Sequence, residues 1–436
     1  MDNDFAIPNL GHLRVFECVG RLRSVSRGSE AVNISQPAVS QAIASLESHF
    51  GVKLMTRCNK GSVPTEFGAI LLFRIQRMQQ LMRQGVEEFL SAAGGHEHNA
   101  ELIVKKITAT QIRCLIAVSE NISFVQASRS IGVSSAAVHR SARELENLLC
   151  TKLYSHDSRG TTTTREGARL ARRLKLAVSE IFNALDEINA QMGKISSTIM
   201  IGTLSAAGAP LLARAVDRLL SMRPAPMVRV IEEPYEHLLN DLLFGNIDFL
   251  FSVLRQPAWA KDEIAEERLY RDDYVVVARP GHPLRRNREI EREALTNFDW
   301  VVPGSSTPRF QAFLSLFGRG RVPPVHIVTT SRSITRTLIA TSNRLTLLTR
   351  HEAELEQRMG VMVVLPIDCN LPAPAYGVAT RRDWAPTSIQ TQFLEILRAL
   401  ANDDGSAGIT ASPVNMRALI DGPTTRREKR PVAAAS

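Results

Sequence analysis

Residues 35–68 read SQPAVSQAIASLESHFGVKLMTRCNKGSVPTEFG, and residues 134–167 read SSAAVHRSARELENLLCTKLYSHDSRGTTTTREG. The two segments start 99 residues apart, and one register extends beyond both. Residues 10–74 align with residues 109–173 without a gap, and 17 of the 65 positions are identical. The identities include Arg14/Arg113, Ser24/Ser123, Ser35/Ser134, Ala38/Ala137, Val39/Val138, Leu46-Glu47/Leu145-Glu146, Lys53-Leu54/Lys152-Leu153, Gly61/Gly160, Thr65/Thr164 and Gly68/Gly167. Chance does not hold one register over such a span, so the chain carries an internal duplication.

Each copy reads as helix, helix, turn, helix and short hairpin. In the first, Leu13, Phe16 and Val19 put an apolar stripe on an opening helix, and residues 25–32 give a short second one. Asn33-Ile34-Ser35 makes a tight turn, Ser35 is a good N-cap, and Pro37 falls in the first helical turn, where a missing N–H costs little. Val39, Ile43, Leu46 and Phe50 then face the core. The opposite face keeps Gln36, Ser40, Gln41 and Ala44, a short, amide-rich surface of the kind that can approach base edges in a major groove. Gln41 suits adenine, and Ser35 and Ser40 suit phosphates or bases. The hairpin reads as a wing with Arg57, Lys60 and Gly61 at its tip, where basic groups meet phosphates. An ordinary solvated helix face is the plain alternative.

The second copy lacks the Gln-Pro pair. Its core positions Val138, Ala142, Leu145 and Leu149 persist, while its outer face presents Ser134, Ser135, His139, Arg140 and Arg143, with Arg159 at its wing. Arginine suits guanine or phosphate, so this copy reads as a folded module of different preference. A degenerate copy kept for dimerisation or spacing stays open.

The string Ser35-Gln36-Pro37-Ala38-Val39-Ser40, followed by Leu46-Glu47, Phe50-Gly51-Val52-Lys53-Leu54 and Pro64-Thr65-Glu66-Phe67-Gly68, resembles the winged helix of LysR-type transcriptional regulators. That resemblance makes the segment from residue 36 the recognition helix, and the long helix at residues 67–92 similar to the family's dimerising linker helix. Met55 replaces a common aromatic, a change of packing. A second linker is expected at 166–193, with Leu170, Leu174, Ala177, Ile181, Leu185 and Ile188 as its stripe. Whether the two linkers pair within one chain or between chains stays open.

Bulk properties agree. The length of 436 residues suits two to four domains, and 44% hydrophobic residues suffice for cores. The net charge of +9 is uneven: residues 1–95 carry 10 basic against 8 acidic groups, residues 101–175 carry 13 against 6, and residues 197–400 carry 24 against 22. Cys18, Cys58, Cys114, Cys150 and Cys369 show no CxxC spacing, so neither a disulfide framework nor a zinc ribbon is expected. His96 and His98, in the loop marked by Gly94 and Gly95, read as solvated rather than as metal ligands. The acidic start and the lack of a long apolar run point to a cytoplasmic chain without a membrane span.

From residue 197 strands alternate with helices: 198–203, 227–232 and 274–278 read as strands and 210–222 as a helix. Gly245-Asn246-Ile247-Asp248 ahead of a buried strand, and His282-Pro283-Leu284, are again similar to LysR-type effector domains. The resemblance, covering about residues 8–400, implies a periplasmic-binding-protein-like domain with a ligand cleft between subdomains 197–275 plus 376–400 and 276–375. Strand ends rich in small polar residues suit an anionic ligand. Leu204-Ser205-Ala206 is one such end, Gly304-Ser305-Ser306-Thr307-Pro308-Arg309 a second and Thr329-Thr330-Ser331-Arg332 a third. A plain helix cap is the competing reading of each. Trp300-Val301-Val302-Pro303, with Thr307, Pro308 and Phe310, looks closest to members that sense sugars or aromatic-catabolic acids. The tail from 402 to 436 is expected to be disordered.

The expected architecture is therefore multidomain. Two all-α-rich winged helix-turn-helix modules (8–66 and 107–165), with linker helices (67–92 and 166–193), precede an α/β effector domain of two subdomains (197–400). The expected function is sequence-specific transcriptional regulation by a small-molecule effector, without cofactor, metal or catalytic residues. Double-stranded DNA, the effector, RNA polymerase and further copies of the chain, as dimer or tetramer, are the expected partners. A solute-binding or enzymatic α/β half, or a helical half that binds protein, are the alternatives. The patterns G-x-S-x-G, G-x-G-x-x-G, HExxH and the P-loop are absent.

Overall fold

The computed structural model describes residues 7–406 except 59–60, 93–98, 122, 158–159, 195–196, 205–207, 223–224, 319 and 321. The first repeat builds α1 (Leu10–Leu22), α2 (Val25–Val32), α3 (Gln36–Phe50), the hairpin β1 (Met55–Cys58) and β2 (Gly61–Pro64), and the long α4 (Glu66–Ala92). A short helix, α5 (Ala100–Lys106), capped by Asn99, follows where only a loop was expected; Ala100 and Ile103 bury against the helical core. The second repeat gives α6 (Ala109–Glu120), α7 (Phe124–Ser130), α8 (Ser135–Leu149), β3 (Tyr154–Asp157), β4 (Gly160–Thr163) and α9 (Arg165–Gln191).

Positions kept identical between the repeats have structural jobs. Ser24 and Ser123 cap α2 and α7, and Ser35 and Ser134 cap α3 and α8. Glu47 accepts from the Leu54 amide at 3.0 Å and from Lys53 Nζ at 2.6 Å; Glu146 accepts from the Leu153 amide at 2.9 Å and from Lys152 Nζ at 3.5 Å. Each glutamate thus ties a third helix to its hairpin. Thr65 and Thr164 hydroxyls accept from the Gly68 and Gly167 amides, both at 3.0 Å. No Cβ fits at either glycine, since it would lie 2.0 Å from the Leu54 carbonyl oxygen or 2.4 Å from that of Leu153.

Helices α4 and α9 lie side by side in one chain and run antiparallel. Arg74, near the start of α4, meets Glu187 near the end of α9, while Glu88, near the end of α4, meets Arg173 near the start of α9. Gly85 lets the helices close in, because a Cβ there would sit 2.6 Å from that of Arg173. One continuous apolar core joins both repeats through this seam, from Leu13 and Leu46 through Leu71, Ile75 and Met82 to Leu174, Ile181 and Leu145.

The remaining elements are β5 (Thr198–Thr203), α10 (Ala209–Leu220), β6 (Met227–Glu232), α11 (Tyr235–Phe244), β7 (Phe249–Val253), β8 (Ile264–Arg271), β9 (Tyr274–Ala278), β10 (Val301–Val302), α12 (Pro308–Phe317), β11 (Ile327–Val328), α13 (Arg332–Thr341), β12 (Thr346–Thr349), α14 (Arg350–Arg358), β13 (Val363–Val364), β14 (Ala375–Arg381) and α15 (Ser388–Ser406). They form a five-stranded sheet in the order β6-β5-β7-β14-β8, a three-stranded sheet β12-β9-β13, and the parallel pair β10-β11. Gly245 closes α11 in the left-handed region at φ 73°, and Asp248 then accepts from the Met200 amide at 2.8 Å, locking β7 beside β5.

Two expectations need correction here. A boundary at 275/276 would cut β9, whose ladder with β12 begins at Tyr274↔Thr349. The chain instead crosses between sheets at 272–273, where β8 has ended, and returns just before Ala375. The tail does not begin at 402 either, because α15 runs on to Ser406. Residues 407–436, like His96 and His98, lie outside the described residues.

Candidate nucleic-acid interface and effector cleft

On α3, Ser35, Gln36, Pro37, Ser40 and Gln41 are all exposed, and Val39, Ala42, Ile43 and Leu46 are buried beneath them. Gln36 reaches back to Ser26 on α2 at 3.2 Å; Gln41 and Ser40 project freely outward. Arg57 is exposed on β1, and Lys60 lies outside the described residues. Helix and hairpin strand therefore offer polar and cationic groups on a surface with no apolar side chain larger than Pro37 among those named.

On α8, His139, Arg140 and Arg143 are exposed, Ser134 caps the helix and Ser135 is half-buried. The His139 ring rests on Phe124 with centroids 4.4 Å apart, which fixes its position at the edge of the face. Arg159 lies outside the described residues.

In the α/β half, β10 and β11 are parallel, so the turns that follow them emerge at the same edge. Thr307 caps α12 and Ser331 caps α13, each through its hydroxyl, and the Thr329 amide bonds the Val302 carbonyl at 2.9 Å. The two helix N-termini thus emerge at one edge, and Ser305 and Ser306 are exposed in the turn before α12, an arrangement that suits an anion. Ser205 lies outside the described residues. Arg309, in the first turn of α12, pairs with Glu352 at the head of α14 and shares its surroundings with Tyr274 and Tyr376. Burial holds both phenols above the ordinary tyrosine range. Trp300 is fully buried and donates to the Leu295 carbonyl at 3.2 Å, so it packs the core and faces no ligand.

Sequence reasoning missed the groups at the sheet crossing. Tyr270 stacks on Tyr376 at 5.2 Å, His351 lies 3.0 Å from buried Asp272, and the Arg255 guanidinium lies 4.1 Å from the centre of the Tyr235 ring. Burial pushes the Tyr235 hydroxyl up to about 12. The signal available was the clustering of Tyr, Asp and Arg at 270–274.

The linker pair docks against the α/β half through charge. Arg74 donates to the Ala385 and Pro386 carbonyls at 2.9 and 3.3 Å, Arg77 bonds the Asp383 carbonyl, and Arg173 pairs with the Asp383 carboxylate at 3.2 Å. Arg172 meets Glu263, and Lys175 meets both Glu120 and Asn246. A cavity of about 280 Å³ opens at this junction, lined by Glu88, Arg172, Arg173, Asp262, Arg381 and Asp383 among others. All five cysteines are free, no cluster among the described residues would hold a metal ion, and no described helix is long and apolar enough to cross a membrane.

With this geometry in hand, two family descriptions match. "Bacterial regulatory helix-turn-helix protein, lysR family" matches residues 10–69 and again residues 109–168, and "LysR substrate binding domain" matches residues 193–402. The chain belongs to the LysR family of transcriptional regulators, with a helix-turn-helix part and an effector-binding part, and is a regulator rather than an enzyme. It is similar to the HTH-type transcriptional regulator GalR of Pseudomonas putida, 28% identical over 380 residues that span 87% of this chain and 94% of that one. It is also similar to PcaQ of Agrobacterium fabrum, 22% identical over 69% of this chain and 97% of the relative. Among solved structures, ArgP from Mycobacterium tuberculosis matches with a TM-score of 0.51 at 18% identity, over 67% of this chain and 96% of that one. Full-length OxyR from Pseudomonas aeruginosa matches with a TM-score of 0.50 at 18% identity, over 70% of this chain and 96% of that one. These two likenesses show the fold.

Proposed function

We propose that both winged modules bind double-stranded DNA, and that the α/β half closes on a small carboxylic acid or sugar and passes that closure to them. The modules would be residues 8–66 and 107–165, the linkers 67–92 and 166–193, and the sensor 197–400. In the sensor, two periplasmic-binding-protein-like subdomains would enclose the ligand between Ser305, Ser306, Thr307, Arg309 and Ser331 on one side and the β5 turn with Ser205 on the other. Ser35, Gln36, Pro37, Ser40, Gln41, Arg57 and Lys60 would contact DNA from the first module, and Ser134, Ser135, His139, Arg140, Arg143 and Arg159 from the second. The chain would act in the cytoplasm as a homo-oligomer and meet RNA polymerase at promoters.

The observation that carries the reading is the grip of Arg74, Arg77 and Arg173 on the 383–386 turn. That turn joins β14, a strand of the first subdomain, to α15, and its holders stand on the two linkers. A shift of the sensor therefore pulls directly on the seam between the winged modules. A mobility-shift titration on the chain's own upstream DNA, repeated across salt concentrations, tests the DNA part: a sequence-dependent complex with a steep salt slope is expected. Footprints with and without saturating carboxylates and sugars test the coupling. A footprint unchanged by every ligand that binds the chain would sink it.

A further inference from the structure

We infer that one copy of this chain supplies both halves of a DNA-reading unit, and so recognises a non-palindromic site built from two different half-sites in a fixed order. The inference rests on the DNA-binding reading above and adds to it the nature of the site.

The seam between α4 and α9 has the form of a twofold interface. Arg74 grips Glu187, and Arg173 grips Glu88; each arginine and each glutamate lies 99 residues from its counterpart, the offset of the duplication. Contacts in which one residue meets a second, while their copies meet in the reciprocal sense, define the isologous interface of a symmetric dimer. Here both sides come from a single chain. Gly85 and Ala184, counterparts at the same offset, are both buried small residues. With the seam filled internally, a second copy cannot use it unless the chains exchange linkers.

A twofold protein matches a palindromic site because both halves present the same side chains. This unit keeps the twofold frame and breaks the chemistry. The face of α3 offers Gln36, Ser40 and Gln41, amides and hydroxyls that suit adenine edges; the face of α8 offers His139, Arg140 and Arg143, of which the arginines suit guanine O6 and N7 or phosphate. Charge is unequal in the same sense, with 13 basic against 6 acidic groups in residues 101–175 and 10 against 8 in residues 1–95. Orientation is fixed as well, since Arg172 of α9 pairs with Glu263 and Lys175 donates to Asn246 in the sensor, while Phe73 and Gln76 at the counterpart positions on α4 carry no charge.

The test is selection of bound sequences from a random duplex library by the full chain, repeated with Gln41→Ala and Arg140→Ala. Two unlike half-sites at constant spacing and order are expected. Each variant should relax base preference in one half only and weaken binding on the order of tenfold. An equimolar mixture of the two variants, refolded together, should not regain wild-type affinity. A palindromic consensus, in which Gln41→Ala affects both halves and Arg140→Ala neither, overturns the inference while DNA binding stands. Recovery in the mixture overturns it too, since the halves would then come from different copies. Failure of the full chain to enrich any sequence overturns the DNA-binding reading itself.

Discussion

Arg74 holds Glu187 with both prongs of its guanidinium, Nε at 3.1 Å and Nη2 at 2.9 Å, and turns its Nη1 to Glu180 at 2.8 Å and to the Ala385 carbonyl at 2.9 Å. The side chain is 1% exposed, so every donor has to find its partner inside the protein. Its counterpart Arg173 makes the same fork to Glu88, at 3.4 and 2.7 Å, but keeps a fifth of its side chain in solvent. Removing Arg74 leaves Glu187 without its partner and Glu180 held by Arg77 alone, at 2.9 Å. Arg74→Ala should cost about 3–5 kcal/mol, and Arg173→Ala on the order of 1–2 kcal/mol. Urea unfolding followed by far-UV circular dichroism checks the order; equal losses would show that burial does not separate the pairs.

Gly68 and Gly167 make the tightest backbone approaches between hairpin and linker, at 2.0 and 2.4 Å for an added Cβ. Because the obstacle is a backbone carbonyl that cannot rotate aside, Gly68→Ala and Gly167→Ala should each cost about 1–3 kcal/mol. Both should lower the melting temperature, and a neutral result at either would mean that the junction has slack.

Much of this was legible in the chain. The offset of 99 residues located both modules, and the paired serines, Thr65/Thr164 and Gly68/Gly167 marked caps and close approaches whose jobs are local. Periodicity gave α9 its apolar stripe and the family resemblance gave α4, but neither gave the partner, because a stripe says which face is buried and not against what. The pairing had left a trace, since Arg74/Arg173 and Glu88/Glu187 are kept at the same offset, though the second pair lies beyond the aligned segment. Helix α5 escaped because seven residues carry too little periodicity. At the edge proposed for the effector, the small polar turns after β10 and β11 were readable. The engagement of Arg309 with Glu352, 43 residues on, depends on α12 and α14 both packing on β12 and left no local signal.

His282 is a pH-sensitive point. Its Nδ1 accepts from the Leu284 amide at 3.2 Å and its Nε2 lies 3.1 Å from the Asn343 carbonyl, an arrangement that only the neutral ring protonated on Nε2 satisfies. Burial lowers its pKa below the ordinary histidine value. The folded state therefore binds its proton less readily than the unfolded chain. Stability is full above about pH 6.5 and declines as pH falls from there through the lowered folded value. Melting curves at pH 7.5 and 5.5 should show a drop that His282→Gln reduces; an identical drop in the variant would assign it to other groups.

Arg57 is exposed on β1 and makes no ion pair among the described residues. If it meets a phosphate, Arg57→Ala should weaken binding evenly across DNA sequences and shallow the slope of log K against log salt by about 1. A change of base preference with an unaltered slope would move Arg57 from the backbone to a base edge.

The junction between helices and sensor is polar, whereas the helical seam surrounds its ion pairs with a continuous apolar core. Arg172 to Glu263, Lys175 to Asn246 and Arg173 to Asp383 cross it, and the aliphatic contact is slight, as where Leu176 lies under Gly245. An interface of that kind couples two cores weakly, and it is the kind that relative motion of domains uses. In the intact chain these links should still make the two halves melt together in calorimetry. The double variant Arg172→Ala/Lys175→Ala removes two of them without entering the α4–α9 seam or the exposed faces of α3 and α8. It should split the endotherm in two, a helical and an α/β transition, while DNA affinity in the absence of ligand stays within about twofold, since neither side chain stands on the exposed faces of α3 and α8 and distant sites couple weakly. One unchanged transition would mean that apolar contact carries the coupling, and the sensor would then have to signal through packing rather than through these charges.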